Sequence, residues 1–155
     1  TGDPMLAHRA SRQGEIVADH VAGESSEFDY RVVPAVVFTD PEIATAGLTE
    51  AEAAEEGYEP IVGRFPLSAN GRSLTLNAPE GFVRIVADAD TERILGGQIV
   101  GPEASELIGE VTLAIEVGAR IEDLVATIHT HPTLSEAVME AAANARGEAI
   151  HIPNR

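Results

Sequence analysis

The spacing of the apolar residues changes once along the chain, near Gly101 and Pro102, and this change limits the possible folds most strongly. Before it, residues 61–67, 81–88 and 93–100 are rich in the β-branched and aromatic residues that strands prefer. A short turn joins the last two of these segments, so we expect a hairpin within an antiparallel sheet. After Pro102, apolar residues recur every three or four positions, as on the buried face of a helix. Strands followed by helices indicate an α+β domain, an antiparallel sheet packed with helices.

The first part of the chain differs from the rest. Residues 4–21 have the apolar spacing of a helix, and the polar stretch 24–32 that follows is typical of a linker. Residues 35–38 form an apolar run that predicts a short buried strand. We therefore expect a separate helix at residues 1–23, a linker at 24–32 and one domain at 33–155.

The later helices carry local signals for where they start. Thr49 with Glu52, and Thr133 with Glu136, fit the capping box, in which the threonine and the acidic residue bond to each other's backbone amides. Between these boxes we expect helices over residues 104–118 and 122–128. The last helix is rich in alanine, so its small face can pack closely within the domain or meet a partner.

The charge of the chain excludes some functions. The formal net charge is -16, and all ten basic residues are arginine. Such a chain repels nucleic acid and has no basic stripe to offset this. The sequence has no apolar run long enough for a membrane helix, no export signal and no cysteine, so we expect a cytoplasmic protein. A spread-out acidic surface suits concentrated salt, and we expect a halophilic, salt-accumulating cytoplasm.

The segment from His129 to Glu136 carries the residues best suited to chemistry. His131 is a potential acid-base group, and a carboxylate on its other ring nitrogen would fix its tautomer. Glu136 can serve as that partner or only as the helix cap. Metal binding by His129, His131 and Glu136 is a third possibility, because alternating residues of an extended segment share a side. No convincing further ligand is present, so we expect no metal.

Several motifs in the same order resemble the dihydrolipoyl dehydrogenases, flavin-dependent members of the pyridine nucleotide-disulfide oxidoreductases. The segment around His131 resembles the signature near the end of that family. The further matches cover most of the chain; they are residues 4–8, 34–44, 69–72, 96–102 and 104–108. The resemblance implies the FAD/NAD-linked reductase dimerisation-domain fold.

The resemblance also implies a function. The protein would be a homodimer in which His131 takes a proton from a dihydrolipoyl thiol at the partner subunit's redox-active disulfide, with Glu136 orienting it. Electrons would then pass to FAD and to NAD. Met5, Leu6, Ala7 and His8 would line the flavin, although for Met5 and Leu6 core packing is an alternative. The partners would be lipoyl domains of 2-oxo acid dehydrogenase complexes, and the His131–Pro132 bond is a candidate for the cis form.

Features of the complete family are missing from this sequence. It has no Gly-rich dinucleotide loop, no pair of redox cysteines and no second nucleotide domain. We therefore expect a carboxy-terminal fragment in which residues 1–23 are the remnant of a FAD-binding domain and residues 33–155 are the interface domain. Alone it should be inactive and should not retain FAD or NAD. The alternatives are a non-enzymatic homodimerisation module and the same domain of another flavin disulfide reductase.

Overall fold

The computed structural model describes residues 2–154, so Thr1 and Arg155, the outer ends of the expected 1–23 and 33–155 units, lie outside it. A long helix at the start is followed by five strands, five further α-helices and a short 3₁₀ helix (Leu67–Ala69) within the described part. The helices are α1 (Ala7–Ala22), α2 (Glu50–Glu55), α3 (Gly71–Thr75), α4 (Ala104–Val117), α5 (Ile121–Ala126) and α6 (Glu136–Ala145). The strands are β1 (Ala35–Val37), β2 (Glu42–Gly47), β3 (Pro60–Pro66), β4 (Phe82–Asp88) and β5 (Ile94–Gly101).

The strands form one antiparallel sheet in the order β1-β2-β5-β4-β3. Helix α4 packs on β2 and β5, and helix α6 packs on β3 and β4. The expected α+β class, with an antiparallel sheet packed with helices, is therefore confirmed. The core between sheet and helices contains Phe65, Leu67, Val83, Ile85, Ile99, Val111 and Val138, each at most 1% exposed.

The alanine-rich helix α6 lies unusually close to β3. A Cβ built on Gly63 would come within 1.8 Å of the carbonyl oxygen of Ala141. Ala137, Ala141 and Ala142 are fully buried against the sheet. The sequence allowed this small face either to pack within the domain or to meet a partner. In the structure it packs within the domain.

Some expectations about the elements were wrong. The first helix begins at Ala7 rather than near Pro4. The apolar run at residues 35–38 is not a buried strand; β1 lies at the sheet edge, with Val37 55% and Phe38 77% exposed. Strand β2 and helix α3 were not predicted. Helix α6 starts at Glu136, because the chain just before it makes tighter i→i+3 bonds, from the Ala137 N–H to the Leu134 carbonyl and from the Val138 N–H to the Ser135 carbonyl.

Polar contacts attach helix α1 to the following segment. The Tyr30 hydroxyl accepts from Gln13 Nε2 at 2.8 Å and from Arg9 Nε at 3.4 Å. These bonds, led by the one from Arg9, place the pKa of Tyr30 below its ordinary value. His8 Nε2 donates to the Pro34 carbonyl at 2.8 Å, just before β1. The start of α1 is therefore tied to the start of the sheet.

Candidate functional site

His131 and Glu136 form a hydrogen-bonded pair at the start of α6. His131 Nδ1 lies 2.8 Å from Glu136 Oε1. A carboxylate can only accept, so Nδ1 carries the proton, and Nε2 is the nitrogen that can accept one when the ring is neutral. The His131 side chain is 74% exposed, whereas that of Glu136 is 18% exposed. The ring is thus fixed on its inner side and open to a reacting group on its outer side.

The second oxygen of Glu136 binds the backbone. The Thr133 N–H donates to Glu136 Oε2 at 2.8 Å. Partial burial acts to raise the pKa of the Glu136 carboxyl, but the bonds from the Thr133 amide and from His131 outweigh it and hold this pKa below its ordinary value. Glu136 is therefore ionised at neutral pH. Each of its two oxygens accepts from a different donor. Glu136 can therefore bond to the backbone at the helix start and orient the imidazole at the same time.

Only half of the expected capping box is present at this helix. The Thr133 hydroxyl donates to the Thr130 carbonyl at 2.7 Å instead of accepting from the helix. Ser135 occupies the N-cap position and makes no side-chain capping bond. The expectation that Thr133 caps the helix was wrong, because the chain turns between Thr130 and Thr133 and uses the hydroxyl there. The peptide bond between His131 and Pro132 is cis.

His129 has a different environment from His131. Its Nε2 lies 2.7 Å from Glu110 Oε1 on α4, its Nδ1 lies 2.9 Å from the Thr127 carbonyl, and its side chain is 6% exposed. Both ring nitrogens face acceptors within the domain, so His129 does not share a ligand position with His131. Across residues 2–154, no group of three or more His, Asp or Glu side chains is placed to hold a metal ion.

The four residues expected to line a flavin lie at the start of α1. Met5 is 83% exposed, so core packing does not explain it in this chain. Leu6 is the N-cap residue, and Ala7 and His8 form the first helical turn. Within the described residues, no hydrogen bond joins this turn to His131 or Glu136. The residues that the sequence predicts to be functional therefore lie in two separate regions, at the start of α1 and at the start of α6.

Two further residues hold the segment that carries His131, and sequence reasoning did not single out either of them. Asn70, at the start of α3, donates through Nδ2 to the Thr133 carbonyl at 2.9 Å and is 4% exposed. Glu110 binds His129, as described above. Asn70 lies in one of the motifs that matched the family, but a contact across 63 positions leaves no local signal in one sequence.

No helix in the part of the chain that the structure describes has the length and apolar character to cross a membrane.

The chain is similar to proteins that belong to one family of enzymes. Residues 33–142 match the family described as pyridine nucleotide-disulphide oxidoreductase, dimerisation domain. Dihydrolipoyl dehydrogenase 2 of Haloarcula marismortui is 65% identical over 150 residues, which is 97% of this chain and 32% of that protein. A dihydrolipoyl dehydrogenase of Haloferax volcanii is 62% identical over 152 residues, which is 98% of this chain and 32% of that protein.

Two solved structures have the same fold. LpdA from Mycobacterium tuberculosis aligns with a TM-score of 0.85 at 34% identity, over 92% of this chain and 31% of that one. The HOCl-induced flavoprotein disulfide reductase RclA from Escherichia coli aligns with a TM-score of 0.86 at 28% identity, over 92% of this chain and 33% of that one. The chain thus spans only 31–33% of the length of these four proteins.

Proposed function

Because the chain belongs to the pyridine nucleotide-disulphide oxidoreductase dimerisation-domain family, we propose that it is the carboxy-terminal part of a dihydrolipoyl dehydrogenase. That longer protein is the parent enzyme of this chain. Residues 1–23 would belong to its FAD-binding domain, residues 24–32 would be a linker, and residues 33–155 would form its interface domain. The two haloarchaeal relatives, which bear that enzyme's name, favour it over another flavin disulfide reductase.

The observation that carries this proposal is the exposed imidazole held by a partly buried carboxylate. Glu136 keeps the proton of His131 on Nδ1, so Nε2 presents its lone pair to the outside. A substrate thiol of a dihydrolipoyl group would give its proton to Nε2, and the resulting thiolate would attack a disulfide. The attack would form a mixed disulfide, break the original S–S bond and release its other sulfur as a thiolate. The ionised Glu136 would stabilise the imidazolium that forms.

The disulfide would come from outside this chain, which contains no cysteine. We propose that the partner subunit of a homodimer supplies it. Large apolar side chains near the His131 segment support such a partner: Ile128 is 97% exposed, and on α4 Leu113 and Val117 are 62% and 68% exposed. Leu113 and Val117 follow Glu110, the α4 residue that binds His129, by three and seven positions and so share its helix face. Several exposed apolar side chains close to one site are typical of an interface. Lipoyl domains of 2-oxo acid dehydrogenase complexes would be the further partners.

The start of α1 fits the expected contact with FAD. A helix start leaves backbone N–H groups unpaired and carries a partial positive charge, which suits the carbonyl oxygens of a flavin ring. The turn from Met5 to His8 has this character: Met5, Ala7 and His8 are exposed, and the first turn of the helix contains no acidic residue. In the parent enzyme this turn would help to hold FAD, and the bound cofactor would supply the electron transfer between the reduced disulfide and NAD. The chain alone holds one edge of such a site, so we do not expect it to retain either cofactor.

Replacement of His131 in the parent enzyme tests the proposed acid-base role. His131→Gln should lower lipoamide turnover by about 10²- to 10⁴-fold, the usual contribution of a positioned acid-base group. His20→Gln is the matched control, because His20 is exposed on α1 and makes no side-chain hydrogen bond within residues 2–154. Turnover of the His131 variant near that of the control would remove His131 from the mechanism.

Mass measurement by size exclusion tests the proposed dimer. At micromolar concentration the chain should elute at twice its mass of 16.3 kDa, and Ile128→Glu should shift it to the monomer. A dimeric chain whose wild-type parent protein showed no lipoamide turnover would favour a non-enzymatic dimerisation module instead.

A further inference from the structure

We propose that Asn70 is a positioning residue that holds Thr133 in place so that Glu136 can fix the tautomer of His131. The proposal rests on the proposed function for the importance of that tautomer, but its geometric part can be tested without enzyme activity.

The Asn70 side chain connects two parts of the fold. Its Oδ1 accepts from the Ser73 N–H at 2.9 Å and so caps α3, while its Nδ2 donates to the Thr133 carbonyl at 2.9 Å. The two bonds define the amide orientation, because a backbone N–H requires the oxygen and a carbonyl requires the NH2 group. Asn70 is only 4% exposed, so the loss of either bond would leave a buried polar group without a partner.

Thr133 connects this amide to the candidate site. Its carbonyl is held by Asn70, and its N–H donates to Glu136 Oε2 at 2.8 Å. Bonds at both polar backbone groups of one residue restrict its φ and ψ angles. The other oxygen of Glu136 then meets His131 Nδ1 at 2.8 Å. A rigid Thr133 therefore fixes the position of the carboxylate, and the carboxylate fixes the imidazole.

Few side chains can take the place of asparagine here. Aspartate would retain the cap on α3, since it is as good an N-cap residue, but it would set a carboxylate oxygen against the Thr133 carbonyl. Serine would also cap the helix but is too short to reach Thr133. Both variants therefore keep the cap on α3, which is structural, and remove the bond to the Thr133 carbonyl, which we propose to matter for His131.

The experiment uses nuclear magnetic resonance on the 155-residue chain carrying Asn70→Asp or Asn70→Ser. Ring ¹⁵N shifts report which nitrogen of neutral His131 carries the proton, and amide hydrogen exchange reports how firmly Thr133 is held. The matched control is Asn144→Asp, which adds the same negative charge as Asn70→Asp. Asn144 Oδ1 accepts from the Arg64 N–H at 3.0 Å near the far end of α6, and the variant keeps that acceptor.

In the wild type and the control, the His131 proton should be on Nδ1. In both Asn70 variants, the Nε2–H form should increase, and the Thr133 amide should exchange about tenfold faster, the factor for one lost hydrogen bond. A merely structural Asn70 would leave the tautomer unchanged in the variants that keep the cap. Unchanged ring shifts and Thr133 exchange in the folded variants would overturn the proposal, as would unfolding of both variants.

The proposed function can fail separately. Normal turnover of the His131→Gln parent enzyme would show that the imidazole is not used, while the ring shifts would still decide whether Asn70 orients it.

Discussion

Replacing Glu136 with glutamine changes one oxygen into an NH2 group and forces a choice between its two partners. Thr133 offers a backbone N–H, which can only donate, whereas the imidazole of His131 can present either a proton or a lone pair at Nδ1. We therefore expect the remaining oxygen to stay with Thr133 and the new NH2 group to donate to Nδ1. The His131 proton would then move to Nε2. The bond from the Thr133 N–H at the helix start would remain. Nε2, the nitrogen that faces outward, would carry a proton and could no longer accept one.

The expected loss of stability is small. A hydrogen bond to a charged group contributes about 1.5–3 kcal/mol and a neutral one about 0.5–1.5 kcal/mol, so the Thr133 bond should lose about 1 kcal/mol. The bond to His131 adds little, because that side chain is 74% exposed. The expected loss of turnover in the parent enzyme is much larger, about 10²- to 10⁴-fold, since the acid-base group is present in the wrong tautomer.

The pH dependence of stability gives a second readout. The pKa of Glu136 is lower in the folded state than its ordinary value, because the Thr133 and His131 bonds favour the ionised form more than burial opposes it. Its ionised form therefore stabilises the fold above the ordinary glutamate pKa of about 4.3, and this contribution disappears as the pH falls through the lower folded pKa. The stability difference between wild type and Glu136→Gln should accordingly shrink in acid.

Urea unfolding followed by circular dichroism, at neutral pH and in acid, measures the stability, and ring ¹⁵N shifts measure the tautomer. Glu116→Gln is the matched control, because Glu116 Oε2 also accepts from a backbone amide, that of Arg31 at 2.9 Å. If Glu136→Gln lowered stability but left the His131 tautomer and the pH dependence of turnover unchanged, Glu136 would be mainly a helix cap and would not orient the imidazole.

Packing and charge elsewhere in the chain give four further tests. Gly63→Ala should lower the free energy of unfolding in urea by about 3 kcal/mol, because its Cβ would lie 1.8 Å from the Ala141 carbonyl; a loss below about 1 kcal/mol would contradict the close contact. Glu140→Ala should cost about 3 kcal/mol, since this carboxylate, 3% exposed, accepts from His151 Nδ1 and from the Ile150 N–H. His151→Ala should cost under about 1 kcal/mol in the same assay, because the imidazole is 58% exposed. The thermal unfolding midpoint should rise between low and multimolar KCl, since salt screens the repulsion of a net charge of -16, and a flat response would contradict the expected salt adaptation.

The elements that could be predicted are those whose signals are local. Thr49 and Glu52 form the complete capping box of α2, as expected from their spacing. The spacing of the apolar residues of α4 identified its length almost to the residue. Strand β2 escaped prediction because small residues such as Ala44 and Ala46 have weak strand preference, and its extended form depends on pairing with β1 and β5.

The same distinction applies to the candidate site. His131 and Glu136 are five positions apart, so their contact could be anticipated from one segment. Asn70 lies 63 positions from Thr133, and Glu110 lies 19 positions from His129. Sequence spacing carries no information on such contacts, which form only when α3, α4 and the segment before α6 pack together.

These distant contacts explain how an exposed residue can have a fixed orientation. The segment from Thr127 to Ser135 belongs to no regular helix or strand, so its own backbone does not hold His131 in place. Glu110 binds it at His129, and Asn70 binds it at Thr133, on either side of the exposed ring. Neither anchor bonds to the ring of His131 itself, and that side chain remains 74% exposed. A side chain that acts on a group outside its own chain needs this combination, because the same contacts that fix it must not cover it.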